Sequence, residues 1–292
     1  MSRGPNSDMI TGVMNQKDLA VPVTPVFDRI APGYDGAALR FYPFCADRMI
    51  IRLKPVRGSK ILDVATGTGA VALAAIQAIG DGGRVTAIDL AEGMLDRLQE
   101  KIVKFGIQNI DLHVMDGSSL DFRRDYFDYV VCSFGITCLP DMSAGLKEWT
   151  RVTKPGGCVM FSVFGLQAFQ PMLQLLVERL ARYDIVLPEG DAAGSATRLA
   201  DAVQCRKLLQ GADLEDIEVI TEQFGYHLKD ETQWWDVIWN STMREWIEQI
   251  PSQRSESFRR EHLDEVRSLA KKDGLWLDAQ THLATGKKPQ PS

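Results

Sequence analysis

From Lys60 to Phe164 the sequence alternates apolar runs of strand length with amphipathic stretches of helix length, and this rhythm constrains the fold more than any other feature. "KILDVA", "RVTAIDL", "IDLHVMD", "FDYVVCSF" and "GCVMFSVF" read as strands. Between them, "GAVALAAIQAIG" reads as a helix ending at Gly80. Residues 92–105 carry Met94, Leu95, Leu98, Ile102 and Phe105 at helical spacing and stop at Gly106. Residues 141–153 place Met142, Leu146, Trp149 and Val152 on one side. Strands that alternate with helices predict an α/β fold with a parallel sheet and right-handed crossovers. Ligands of such sheets bind beyond the carboxyl ends of the strands. The residues to examine are therefore Ala65 to Gly69, Asp89 and Leu90, Asp116 and Gly117, and Ser133 to Gly135.

The first of these turns, in "ILDVATGTGAVAL", has Gly67, Gly69 and Ala72 in the G-x-G-x-x-A pattern of a nucleotide-binding loop. Glycines alone do not separate a nicotinamide or flavin dinucleotide from other nucleosides. Asp63 helps, because it stands four residues before Gly67, where a carboxylate repels a pyrophosphate. A sulfonium amino acid such as S-adenosylmethionine tolerates it; alternatively Asp63 only braces the loop by accepting backbone N–H groups. Asp89 ends the second strand, 20 residues after Gly69, where a carboxylate meets both ribose hydroxyls or caps the next helix. Leu90 and Met94 are apolar walls for an adenine ring, with Met94 equally suited to the core. Asp116 is placed to accept the adenine amino hydrogens beside the N–H of Gly117, or to form a turn. "SFG", with Ser133 and Phe134, offers backbone groups to an amino-acid end.

Beyond Phe164, residues 167–183 and 196–210 read as helices joined by "PEGDAAGSA". "DIEVITEQFGYHL" and "WLDAQTHLATG" read as strands, and residues 231–250 and 253–271 as helices. Residues 1–25 are expected to be a mobile segment and 288–292 a polar tail. Lys and Arg total 33 against 39 Asp and Glu, a net charge of −6, which argues against a nucleic-acid partner. Five cysteines without a C-x-x-C pair suggest reduced thiols and no zinc framework. The uncharged run Pro155 to Val177 is broken by Pro171 and three glutamines, so it reads as a buried strand and a helix rather than a membrane span. The N-terminus lacks a signal-peptide core, and a cytoplasmic protein, monomer or homodimer, is expected.

Taken together, "ILDVATGTGAVAL", "AIDLAEGML", "VMDGSSLDF", "FDYVVCSFGITCLPD" and "EWTRVTKPGGCVMFSVFG" resemble the class I S-adenosylmethionine-dependent methyltransferases. The upstream "VFDRIAPGYD" is similar to the opening of the ubiquinone and menaquinone biosynthesis branch. The resemblance implies a Rossmann-like three-layer sandwich: a seven-stranded, mostly parallel sheet whose last strand is antiparallel. Segments 215–227 and 276–286 would form the final pair, within one domain over 26–287 carrying helical lid insertions at about 166–214 and 229–275. It implies S-adenosyl-L-methionine as cofactor, held at Tyr34, Asp63, Ala65, Thr66, Gly67, Asp89, Leu90, Met94, Asp116, Gly117, Ser133 and Phe134. The loop reads Ala65-Thr66 where relatives often have Gly-Cys, and "GAALRFYPFCADRM" departs from the quinone-branch pattern.

Methyl transfer from a sulfonium is an in-line displacement that needs position and a dry site, and no metal. The expected acceptor is a small, aromatic or apolar metabolite methylated on carbon, oxygen or nitrogen. Phe164, Trp235 and Trp239 are its candidate contacts, the tryptophans falling with Trp234 and Trp246 in one predicted helix. His227, at the end of "FGYHL", is the candidate general base. His262 and His282 are expected on exposed faces. An NAD-type oxidoreductase and a protein that holds the cofactor without turnover are the alternatives.

Overall fold

The computed structural model describes residues 24–187 and 199–291. Its strands are β1 (Lys60–Val64), β2 (Arg84–Asp89), β3 (Ile110–Val114), β4 (Phe127–Ser133), β5 (Thr153–Phe164), β6 (Glu215–Gln223), β7 (Tyr226–Leu228), β8 (Leu275–Leu277) and β9 (Gln280–Lys287). Seven of them make one sheet in the order β3-β2-β1-β4-β5-β9-β6, while β7 and β8 pair as a separate ribbon. β1 to β5 pair in parallel, and β9 runs antiparallel between β5 and β6. The strand order reverses between β1 and β4. Such a switch point opens a crevice outside the strand ends, which is where doubly wound sheets bind ligands.

The helices are α1 (Thr24–Ile30), α2 (Phe41–Leu53), α3 (Ala70–Ile79), α4 (Glu92–Phe105), α5 (Met142–Val152), α6 (Met172–Arg182), α7 (Ala202–Gln210), α8 (Glu231–Trp239), α9 (Arg244–Ile247) and α10 (Ser252–Arg267). Two apolar cores follow from the crossovers. On one face, α2, α3 and α4 bury Met49, Val71, Ala75, Ile79, Leu98 and Ile102 with the helices α6, α8 and α10. On the other, α5 and α7 bury Leu146, Trp149, Val152, Cys205 and Leu209 against Leu62, Val130 and Phe161. Each fully buried aliphatic side chain of this kind contributes about 2 kcal/mol. Thus α7, expected within a lid insertion, belongs to the sandwich layer. α6, α8 and α10 form the covering helices.

The sheet is as expected; several boundaries are not. The predicted strands 215–227 and 276–286 are each cut in two. The Gln223 side chain accepts the N–H groups of Gly225 (2.8 Å) and Ala279 (2.9 Å) and donates to Asp278 (2.7 Å), which turns both chains off the sheet. Gly225 is required there, since a Cβ would stand 2.4 Å from the Leu277 carbonyl oxygen. The predicted helix 231–250 breaks after Trp239, because the Asn240 amide donates to the Asp236 carbonyl and Ser241 to that of Ile238. The tryptophans therefore lie on two helices. α6 starts at Met172 rather than 167, since Pro171 has no N–H to give a helix interior. α2 starts at Phe41, after a single turn over Ala37–Leu39 whose Ala38 carbonyl is taken by the Tyr226 hydroxyl at 2.7 Å.

Residues 1–23 of the expected mobile segment, the joint 188–196 and residues 196–198 of the next predicted helix lie outside the described residues. Thr24 and Pro25 already belong to α1. In the predicted tail, Lys288 is tied to Asp125 at 2.6 Å and to the Thr153 carbonyl at 2.8 Å. The run Pro155 to Val177 is strand β5 and the first half of α6, and no helix among the described residues is long and apolar enough to cross a membrane.

Candidate functional site

At the carboxyl end of β1 the chain turns sharply through Ala65 (φ 52°), Gly67 (φ 55°) and Gly69 (φ 88°). Ala65 holds a left-handed conformation that favours glycine, and Phe134 (φ 60°), at the end of β4, holds another. Backbone strain of this sort costs about 1 kcal/mol or more per residue, and two such residues face each other across the switch point. Gly69 admits no side chain, because its Cβ would meet Leu98 at 2.3 Å. Gly135 is equally constrained, with a Cβ at 2.4 Å from that of Ala65.

Three amide groups of this turn are already engaged. Thr66 N–H donates to the Ile88 carbonyl (2.9 Å), Gly69 N–H to the Thr66 carbonyl (2.9 Å) and Gly67 N–H to the Asp89 carboxylate (2.8 Å). The Asp63 carboxylate, only 1% exposed, accepts the Thr66 hydroxyl at 2.6 Å and draws the Ala72 N–H at the start of α3. Asp63 is thus a brace for the loop, and it also lines the cavity described below. Burial pushes its pKa up to about 7 against the pull of those two hydrogen bonds, with Asp89 adding to the rise.

The sign of this shift makes a prediction. The unfolded carboxyl ionises near 3.8, so Asp63 costs nothing below that pH and destabilises the fold as pH rises towards 7. We expect Asp63→Asn to match wild-type stability near pH 4. By pH 8 it should exceed it by about 4 kcal/mol, since the Thr66 hydroxyl can turn to accept the new amide. Urea unfolding at the two pH values measures the difference, and a gap independent of pH contradicts it.

Asp89 closes β2. One carboxylate oxygen accepts Gly67 N–H and the other Ala91 N–H at 2.9 Å, so each keeps a lone pair. Burial raises its pKa while the backbone donors lower it. Leu90 beside it is 47% exposed, whereas Met94 is 1% exposed and packs with Val26, Ile30, Ala31 and Ala91 under α1. After β3, Asp116 accepts both the N–H and hydroxyl of Ser118 through one oxygen, leaving the second without a partner among the described residues. The Gly117 carbonyl takes the Trp149 indole N–H at 2.7 Å. Ser133 lines the cavity; the Phe134 N–H is taken by Ser162 at 3.1 Å.

Over these tips lies the segment from Ala31 to Arg40. Asp35 accepts the Thr68 hydroxyl and the Lys101 ammonium, each at 2.7 Å, and Tyr226 holds the Ala38 carbonyl. α1 is fixed by Asp28, which accepts the N–H of Gly93 at 2.9 Å, and by Arg29 facing Glu245 and Glu248 of the α9 region. Beneath this cover is a cavity of about 330 Å³, lined by Tyr34, Arg40, Tyr42, Asp63, Thr66 and Ser133 among others. Tyr34 and Tyr42 stack at 4.7 Å, and Tyr42 meets Phe134 edge-on at 5.4 Å. Phe164 stacks on Phe134 at 4.2 Å and touches Phe41 and Phe169, in an aromatic cluster that adjoins the cavity through Tyr42 without lining it. Burial holds the Tyr34 hydroxyl far above its ordinary pKa and that of Tyr42 at about 12.

Among the expected residues, Tyr34, Asp63, Ala65, Thr66, Gly67 and Ser133 line this one cavity, and Asp89 adjoins it through Gly67. His227 does not: it is exposed on the outer side of the β7–β8 ribbon, against Trp276. Trp235 packs near Phe258, and Trp239 lies beneath Arg244; neither lines the cavity. His262 and His282, expected on exposed faces, are buried. The Trp234 indole donates to His262, whose pKa burial lowers to about 4, and His282 sits between Thr221 and the Ala200 carbonyl. Their faces are covered by α6 and α8 in one case and by the chain before α7 in the other. Arg40, Tyr42 and Asp35 were not anticipated; the Gly-rich "GYDG" just before them is the one local sign of a close chain approach. Among the described residues, no group of three His, Cys, Asp or Glu side chains is placed to hold a metal ion.

Known proteins share this fold. A solved structure of YcgJ from Bacillus subtilis superposes with a TM-score of 0.56 over 85% of this chain and all of that one, at 18% identity, a likeness of fold. The aklanonic acid methyltransferase DauC of a Streptomyces species is 31% identical over 48% of this chain and 64% of its own length. Demethylmenaquinone methyltransferase of Staphylococcus aureus is 39% identical over 44% of this chain and 50% of its own. The chain thus spans between half and two thirds of the curated relatives it matches. The profile of the ubiE/COQ5 methyltransferase family matches residues 11–209, well over half the chain and all the strand tips from β1 to β5. The chain belongs to the ubiE/COQ5 methyltransferase family.

Proposed function

We propose that this protein transfers a methyl group from S-adenosylmethionine to a small, flat, largely apolar metabolite. The observation that carries the reading is the state of the β1 turn. A pyrophosphate needs free loop N–H groups and an open helix N-terminus. Here the N–H groups of Thr66, Gly67 and Gly69 are engaged, and the Asp63 carboxylate lines the cavity directly beneath them. Asp63 and Asp89 instead present acceptors to a ligand with an ammonium and a ribose diol. This favours a sulfonium nucleoside over NAD.

Asp89 would hold the ribose with its two remaining lone pairs, Leu90 one side of the adenine, and the second oxygen of Asp116 the adenine amino group. Asp63, through its raised pKa, gains most from a cation beside it, so it would ionise fully when the amino-acid end is seated. Tyr34, Thr66 and Ser133 bound that end. The bound cofactor supplies an electrophilic methyl group on a sulfonium. The chain's own part is to position and to exclude water. The cover from Ala31 to Arg40 closes over the turn, and Tyr34 and Tyr42, which line the cavity, offer rings to an acceptor. Relatives named for aklanonic acid and demethylmenaquinone support a small-molecule acceptor. The acceptor atom, any general base and the assembly state belong to this proposal's next tests; a soluble protein acting as monomer or homodimer fits it.

Calorimetry with S-adenosylhomocysteine and with NADH, followed by transfer of labelled methyl to aromatic acceptors, tests the reading. We expect micromolar binding of the first, none of the second, and label in the acceptor. NADH binding without S-adenosylhomocysteine binding refutes it. Nucleoside binding with no transfer to any acceptor points instead to a cofactor-holding protein.

A further inference from the structure

Two cations line the cavity, Lys101 and Arg40. Lys101 is neutralised by Asp35 at 2.7 Å. Arg40 has no carboxylate within ion-pair distance among the described residues. Every other arginine in that condition among the described residues is exposed at the surface, whereas Arg40 is half-buried in the cavity wall. Its guanidinium is nonetheless fixed. It lies 3.9 Å over the Tyr226 ring and donates one N–H to the His227 carbonyl at 3.0 Å. Tyr226 is itself anchored, through its hydroxyl, to the turn that leads into α2. A guanidinium has five N–H donors, so this mooring leaves donors unused while it fixes their plane. The lining carboxylates do not satisfy it. Asp35 is shared by Thr68 and Lys101, and Asp63 by Thr66. Asp47 stands two helical turns along α2, about 10 Å away.

A moored, half-buried guanidinium with no ion-pair partner among the described residues and in-plane donors to spare is a receptor for a planar anion. We propose that Arg40 binds a carboxylate that a small molecule carries into the cavity. Resting on the methyltransferase reading, that carboxylate belongs either to the amino-acid end of S-adenosylmethionine or to the methyl acceptor. Arg40 is then a specificity-determining residue, and the Tyr34 and Tyr42 rings that line the same cavity receive the apolar remainder of the ligand.

The experiment has two arms on the full chain, using wild type, Arg40→Gln and Arg40→Lys, with circular dichroism to confirm that each is folded. In the first, calorimetry compares S-adenosylhomocysteine with its decarboxylated analogue, 5′-S-(3-aminopropyl)-5′-thioadenosine. In the second, anthraquinone-2-carboxylate is compared with its carboxamide. We expect, in one arm, wild type to prefer the carboxylate by about tenfold or more, the worth of one charge-assisted bidentate contact. Arg40→Gln should lose that preference and Arg40→Lys keep part of it. A preference in the first arm assigns the carboxylate to the cofactor, and in the second to the acceptor. No carboxylate preference in either arm, or one that survives in Arg40→Gln, overturns the proposal. If neither nucleoside binds at all, the cofactor reading fails instead. The second arm, run without nucleoside, then still decides on Arg40.

Discussion

Replacing Asp89 by alanine should weaken S-adenosylhomocysteine binding about a hundredfold or more, roughly 2.7 kcal/mol. Two effects add. The carboxylate's two remaining lone pairs are lost to the ribose, and hydrogen bonds to a charged acceptor are worth about 1.5–3 kcal/mol each. The Gly67 and Ala91 N–H groups also lose their partner, which frees the β1 turn to move. Asp89→Asn separates the two. One amide oxygen can still hold Gly67, so the fold is kept while one ribose acceptor is lost, and we expect about a tenfold loss. Calorimetry of both variants gives the comparison. Affinities within a few-fold of wild type would mean that the ribose does not lie at the tip of β2.

The largest loss of stability is expected from Trp149→Ala, about 4 kcal/mol in urea unfolding. Trp149 is fully buried between α5 and the sheet, among Leu62, Val130 and Phe161. Its indole N–H also holds the Gly117 carbonyl at 2.7 Å, so one side chain ties the second core to the turn after β3. Trp149→Phe refills most of the volume but leaves that carbonyl without its partner. It should cost about 2 kcal/mol, most of it for the missing bond and the smaller ring. A loss below about 1 kcal/mol for alanine would show that α5 repacks around the gap, against the usual cost of a large cavity.

The alternation from Lys60 to Phe164 made the sheet legible, because strand and helix periods differ and each apolar run is bounded by a turn. Asp63 and Asp89 were legible for a related reason: a carboxylate at a buried strand end has few structural excuses. The two strands near the C-terminus were not divided correctly, since alternation continues through Phe224 and Asp278. What cuts them is Gln223, whose partners Gly225 and Ala279 come together only once the strands have paired. His262 misled for the opposite reason. Its helix is charge-rich, yet α6 and α8 cover the very side it occupies. Arg40 carries no local sign of its role, because its unmatched charge is defined by which carboxylates fail to reach it, and that is set by the docking of α2 against β7.

The position of β9 has a consequence for how the chain is made. It lies inside the sheet, between β5 and β6, although it follows both of them in the sequence. At roughly 5–20 residues per second, the ribosome leaves the outer edge of β5 open for about ten seconds after that strand emerges. Throughout that interval "GCVMFSVF" presents an apolar, unpaired edge of the kind that recruits strands from other chains. The same parallel strands that build the binding crevice early therefore depend, for their protection, on a strand made only after all five of them are complete.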